Sequence, residues 1–212
     1  IREKGGRVSD HYEQLKRIET AARRASDLCE QMLTYAGQGP HSLELIDLND
    51  IVRDTVVLVA VSLGKNTEIP LELASHLHAA RADSSQLRQV VMNLIINAAD
   101  AIGDRPGNIT LRTFERPYTA ADLSQAIGNP DLPSGTYLGL EFIDNGCGID
   151  AAEITRIFEP FFTTKFHGRG LGLSTVLGIV QGHQGALFLE SQVGHGSTFR
   201  VLLPATDEYV AS

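Results

Sequence analysis

The sequence predicts an α+β protein: a two-layer α/β sandwich, with helices on one face of a mixed sheet, preceded by a long helical arm. Three observations carry this. Residues 9–36 hold an apolar seam in steps of three and four, the spacing of helices that pack on other helices. After Pro40, short period-two runs alternate with stretches of helical period, as in a sheet layered with helices. Twelve of the 20 glycines fall between 135 and 196, so close backbone approach is concentrated in that third of the chain.

The elements follow in order. In the arm, Leu15, Ile18, Ala22, Ala25, Cys29, Met32 and Ala36 form the seam. Ser9 and Asp10 can cap its start, and Gly37 with Gly39-Pro40 ends it. Such a stripe needs partner helices, from a missing segment or another subunit. Residues 43–48 read as a strand, and Asn49 or Asp50 then caps a helix running to about Leu63. Residues 69–73 and 77–82 are short strands. Asp83 and Ser84 start the apolar helix SSQLRQVVMNLIINAADAIG, which ends near Gly103. Residues 109–114 alternate as a strand, and 115–136, with Pro117, Pro130 and Pro133, read as a surface insertion. The strand 138–143 leads into DNGCGID. A short helix at 150–157, a loop, a helix at 172–181 and two strands at 186–191 and 198–203 close the fold.

Composition limits the function. The chain has 212 residues, 42% apolar and 21% charged, enough for one core of ordinary size and too apolar for disorder. Its net charge is −8, with the acidic excess in residues 37–212, so neither nucleic acid nor an anionic membrane is an expected partner. An anion bound there requires local donors and a metal. The two cysteines, Cys29 and Cys147, have no partner spacing, which indicates neither a disulfide framework nor a zinc site. A reducing, cytoplasmic setting is expected. No apolar run is long enough to span a bilayer. The chain starts without Met and without a signal peptide, so a piece of a longer protein is expected.

Three constellations can carry chemistry. Asn93 and Asn97 lie four residues apart on one helix face among apolar neighbours, where buried amides need partners. An amide oxygen suits Mg²⁺, which keeps most of its waters and takes other ligands from phosphate. Next, Asp144 ends a strand and is followed by Gly146 and Gly148. Its carboxylate can accept from an exocyclic amine, and the glycines leave room for a flat base. Last comes FEPFFTTKFHGRGLGL, residues 158–173. Phe158, Phe161 and Phe162 supply anchors, Lys165 and Arg169 supply charge, and Gly168, Gly170 and Gly172 lead into a helix N-terminus suited to phosphate. The spacing is not that of an ordinary P-loop.

In this order, Asn-x₃-Asn, D-x-G-x-G, a Phe-rich stretch and G-x-G-L-G-L resemble the N, G1, F and G2 boxes of sensor histidine kinases. That family shares the Bergerat ATP-binding fold with gyrase, MutL-type repair proteins and heat-shock chaperone ATPases. The final GHGSTFRVLLP resembles the family's closing strand, so the likeness spans about residues 9–205. It implies a partial dimerisation helix over 1–40 and an ATP-binding catalytic domain over 41–212. The implied cofactors are ATP and Mg²⁺. Asn97 would hold the Mg²⁺ bridging the phosphates, and Asn93 would assist it or orient the transferring group. Asp144 would take adenine's amino group, Gly146 and Gly148 would floor the base, and Thr198 would touch it through water. Lys165 and Arg169 would meet the phosphates from a lid, and the backbone of Gly170, Leu171, Gly172 and Leu173 would hold them. The implied partners are a response-regulator receiver domain and, in the intact parent, a second copy joined through helix 9–36. The parent itself can be membrane-anchored.

Two departures matter. Many relatives carry Lys or Arg where Asp100 stands, which leaves phosphate neutralisation to Lys165 and Arg169. No His followed by Asp or Glu opens the first helix. His11 precedes Tyr12 and aligns with the start of the second helix, so it reads as an ordinary exposed residue, and the phosphoacceptor is expected upstream. Two other functions compete with this one. A gyrase- or MutL-like ATPase usually places a Glu general base where Asn93 stands, and a degenerate kinase serving as a scaffold would not retain Asn97, Asp144 and the glycines.

Overall fold

The computed structural model describes residues 42–60, 63, 66–164 and 170–210. The expected helix 9–36, His11, Lys165 and Arg169 lie outside the described residues.

Eight strands and four helices are described. Strand β1 (Glu44–Ile46) pairs antiparallel with β4 (Ala80–Ala82), from Glu44 opposite Ala82 to Ile46 opposite Ala80. The main sheet runs β2 (Thr67–Glu68), β5 (Gly107–Tyr118), β6 (Gly135–Asp144), β8 (Gly196–Pro204), β7 (Ala186–Gln192), with β3 (Leu71–Glu72) also along β5. β2 and β3 are parallel to β5 and the remaining pairs are antiparallel, so the sheet is mixed, as the sequence predicts.

Alternation sorts the strands into two faces. Ile109, Leu111, Leu138, Leu140, Phe142, Leu187, Phe199, Val201 and Leu203 share one core with helices α1 (Leu48–Ala60), α2 (Ser84–Ile102) and α4 (Gly172–Gly182). On the other face Glu141, buried between strands, receives Arg200 Nε at 2.7 Å and Arg112 at 3.4 Å. A carboxylate so far from bulk water is tolerable because both cations reach it.

Helix starts follow the capping rules, with one shift. Asp47, rather than Asn49 or Asp50, caps α1, accepting the Asn49 N–H at 2.7 Å. Asn49 is instead buried: its amide donates to the Ala74 carbonyl at 2.9 Å and accepts from Thr113 Oγ1 at 2.7 Å, tying α1 to β5. Asp83 caps α2 as expected, accepting from the Ser85 and Gln86 N–H groups at 3.0 and 3.2 Å.

Two segments differ from expectation. Residues 150–157 form successive turns rather than a helix, with Glu153 N–H on the Asp150 carbonyl and Arg156 N–H on that of Glu153. Only Ile157 and Phe158 of this stretch reach the core, too little apolar stripe to repay a regular helix before Pro160. Segment 115–136 is more than an excursion. β5 runs to Tyr118 and β6 begins at Gly135, so both ends extend the central hairpin. Between them Thr119 and Asp122 form a capping box on α3 (Ala120–Leu123), and Leu123, Ala126 and Leu132 pack with Tyr118, Tyr137, Ala186 and Leu202. The sheet face away from the main helices is thus partly covered.

Candidate functional site

The packing of α2 against α4 sets the site. His183, at the end of α4, accepts the Asp83 N–H on Nε2 at 3.0 Å, and its Nδ1 donates to the Ile179 carbonyl at 2.8 Å. The end of α4 is thereby pinned to the start of α2, and the helices run antiparallel. The middle of α2, with Asn93 and Asn97, consequently meets the start of α4.

There Asn93 Nδ2 lies 3.4 Å from the Gly172 carbonyl. The Asn97 amide shares that face, and its Nδ2 is buried with no hydrogen-bond partner among the described residues. A buried amide left unpaired costs free energy that a ligand can recover. The first turn of α4 has no side-chain cap on its free N–H groups, which the backbone after Gly170 therefore presents with the positive end of the helix dipole. The Ser174 hydroxyl turns back to the Leu171 carbonyl at 3.0 Å and does not occupy that end.

On the sheet side, Asp144 is the last residue of β6 on the helix-facing register of Leu138, Leu140 and Phe142. Burial pushes its carboxyl above the usual aspartate value, while the backbone N–H groups of Gly146 and Ser197 pull it back. The Gly146 N–H reaches Oδ1 at 2.8 Å. Between Asp144, the two asparagines and the start of α4 opens a cleft of about 640 Å³, within the range of small-molecule sites. Ile96, Ile149, Ile157, Phe162 and Phe199 give it apolar walls, and Asp100 and Glu153 add acidic groups.

The cleft gathers Asn93, Asn97, Asp144, Gly148, Gly170, Leu171, Gly172 and Leu173 from the sequence reading. Two assignments change. Gly146 does not line the cleft: a Cβ there would stand 2.7 Å from that of Ala101, so the glycine lets the turn close onto α2 and lets its N–H reach Asp144. Thr198 is not in the cleft either. β8 alternates, Ser197, Phe199, Val201 and Leu203 face the helices, and Thr198 falls on the opposite face. Ser197, the cross-strand partner of Asp144, takes the place expected for Thr198. The apolar odd positions of STFRVLL already carried that signal.

The Phe-rich segment also divides. Phe158 is buried in the core and Phe162 lies beneath the Arg156 guanidinium at 4.5 Å, but Phe161 is 56% exposed and no anchor. Its backbone matters instead. Phe161 has a φ of 69° and donates its N–H to the Gly170 carbonyl at 2.8 Å, joining the two ends of segment 161–170. Gly170 also has positive φ, and a Cβ there would lie 2.4 Å from the Phe161 carbonyl carbon.

Comparison with known proteins places the family and the fold. The profile of the histidine kinase-, DNA gyrase B-, and HSP90-like ATPase family matches residues 82–207. The sensor kinase CckA of Brucella abortus (strain 2308) is 39% identical over 201 residues, 93% of this chain and 21% of its own length. The chain thus spans about a fifth of that relative. The nucleotide-free catalytic domain of histidine kinase ThkA is 28% identical with a TM-score of 0.62, covering 78% of this chain and 97% of its own. ThkA has also been solved with the response regulator protein TrrA. Full-length ShkA in complex with AMPPNP shares the fold at 22% identity and a TM-score of 0.69, over 93% of this chain and 39% of its own.

Proposed function

The chain belongs to the histidine kinase-, DNA gyrase B-, and HSP90-like ATPase family, and from that premise we propose that it is the ATP-binding catalytic region of a two-component sensor histidine kinase. It would direct the γ-phosphoryl group of ATP to a histidine on an upstream helix, for relay to a receiver-domain aspartate. The observation that carries this reading is the cleft itself: an acceptor carboxylate at one end, and an unpaired amide with an uncapped helix N-terminus at the other.

Each residue has a stated task. Asp144 accepts from the adenine amino group. The N–H groups that open α4 bond the phosphates, and Lys165 and Arg169 add positive charge to a cleft whose described lining includes no Lys or Arg. Asn97 supplies an amide oxygen to Mg²⁺, and Asn93 steadies the neighbouring phosphate. The residues fit that ion on chemical grounds. Among the described residues no group of three or more His, Cys, Asp or Glu could cage a metal, and one or two amides suffice for a cation that arrives with phosphate and water ligands. Bound Mg²⁺ would supply charge neutralisation at the phosphates. Phosphoryl transfer otherwise asks mainly for alignment and charge stabilisation, and Asn93 offers no base to activate water.

The test is calorimetric titration of ATP into the chain with and without Mg²⁺, for wild type, Asn97→Ala and Asp144→Asn. Mg²⁺-dependent binding that each substitution weakens at least about tenfold supports the reading. Unchanged affinity in both variants overturns it.

A further inference from the structure

Three strands converge at the Asp144 end of the cleft. Ser191 of β7 lies opposite Ser197 of β8, and Ser197 lies opposite Asp144 of β6. The Ser191 hydroxyl has three neighbours: the Ile149 N–H at 2.8 Å, the Gly196 carbonyl at 3.0 Å and Ser197 Oγ at 2.9 Å. A serine hydroxyl has one proton and two lone pairs. The Gly196 carbonyl can only accept, so in its 3.0 Å contact with Ser191 the hydroxyl is the donor. The Ile149 N–H can only donate, so it fills one lone pair. The contact between the hydroxyls then has a single direction left, with Ser197 donating to Ser191. Ser197 lines the cleft and is nearly buried, and its proton is committed behind it. Toward the cleft it offers lone pairs alone, next to a carboxylate that, when ionised, also only accepts.

We propose that Ser191, which does not line the cleft, is a positioning residue that sets nucleobase specificity. By holding the Ser197 proton away, it makes this end of the site acceptor-only, which suits a purine with a 6-amino donor and disfavours one whose 6-substituent only accepts and whose N1 carries no proton. The inference rests on the reading that the base of ATP lies against Asp144. A 6-methoxy oxygen, on a ring whose N1 stays unprotonated as in adenine, would meet two acceptors with no hydroxyl proton free to turn toward it, and such mismatches discriminate more sharply than shape alone. Without Ser191, the Ser197 hydroxyl can rotate and donate.

The experiment compares ATP with the 5′-triphosphate of 6-methoxypurine riboside, whose 6-position accepts where that of ATP donates and whose N1 stays an acceptor. Both are titrated into the whole chain as wild type, Ser191→Ala, Ser191→Thr and Ser197→Ala. Wild type should favour ATP. Ser191→Ala should lower the ratio of 6-methoxy analogue to ATP Kd by about tenfold, and Ser191→Thr, which keeps the hydroxyl, should hold the wild-type ratio. A merely structural role would weaken both nucleotides in proportion, and an unchanged ratio in Ser191→Ala overturns the proposal. Should that variant not fold, Ser197→Ala leaves the bonds of Ser191 to Ile149 and Gly196 in place. It should also narrow the ratio, and failure to do so is equally fatal. Wild type that binds ATP with no preference over the 6-methoxy analogue removes this inference alone. Wild type that binds neither removes the ATP reading and the inference together.

Discussion

Asp144 shows how one side chain can be built against its own comfort. Burial favours the neutral carboxyl, so its folded value stands above the ordinary 3.8, whereas the adenine amino group asks for the ionised form. The signs therefore oppose. For the nucleotide-free domain, this group's favourable contribution is fully present below the ordinary value and is lost as pH rises through the folded one. ATP affinity should instead fall on acidification, beginning above pH 3.8. Parallel titrations and melting curves between neutral pH and about 4 would reveal the divergence. Asp144→Asn should cost at least about tenfold in ATP affinity without lowering the melting temperature of the nucleotide-free protein. A residue kept ionised for its ligand commonly shows that exchange of stability for function.

Among the elements, α2 and α4 have ends that define the site. Asp83 caps α2. Burial pushes its carboxyl upward, but the Ser85 hydroxyl and the N–H groups of Gln86, Ser42 and Ser85 outweigh this and hold it below the usual value. Its contribution to stability is present above 3.8 and is lost as pH falls through the lower folded value. Asp83→Ala should cost about 1 kcal/mol, a fall of about 2–4 °C in melting temperature for a domain of this size. Gly170 acts at the other helix. Replacing it with Ala forces a side chain into left-handed backbone and against Phe161, a local cost of about 1–3 kcal/mol. ATP affinity should drop because the first turn of α4 is displaced, and titration of Gly170→Ala would measure it.

At the scale of the whole molecule, the described residues lining the cleft run from Asn93 to Phe199, within the matched family span of 82–207. A chain beginning at residue 41 should therefore bind ATP as tightly as the full chain, which parallel titrations would check. Incubated with γ-labelled ATP, the full chain should stay unlabelled, because its proposed acceptor lies upstream. Acid-labile label on His11 would reverse that assignment.

How much of this was legible beforehand depends on the reach of each signal. The sequence alone determined the capped, apolar α2, the two asparagines on one of its faces, the strand that ends at Asp144 and the glycine-rich approach to α4. Periodicity and capping are properties of neighbours in the chain, so they can be read without a fold. Tertiary structure decided the rest. Asn49, a cap by its position before an apolar run, was drawn inward by Thr113 and the Ala74 carbonyl, 64 and 25 residues away. Thr198 and Ser197 both carry hydroxyls; the alternation of STFRVLL already puts Ser197 on the helix-facing side, but only pairing with β6 sets it beside Asp144. The use of His183 and Ser191 was invisible for the same reason. Each completes hydrogen bonds whose other halves lie on distant strands and helices, and a buried polar group's partners are assigned only when the chain closes on itself.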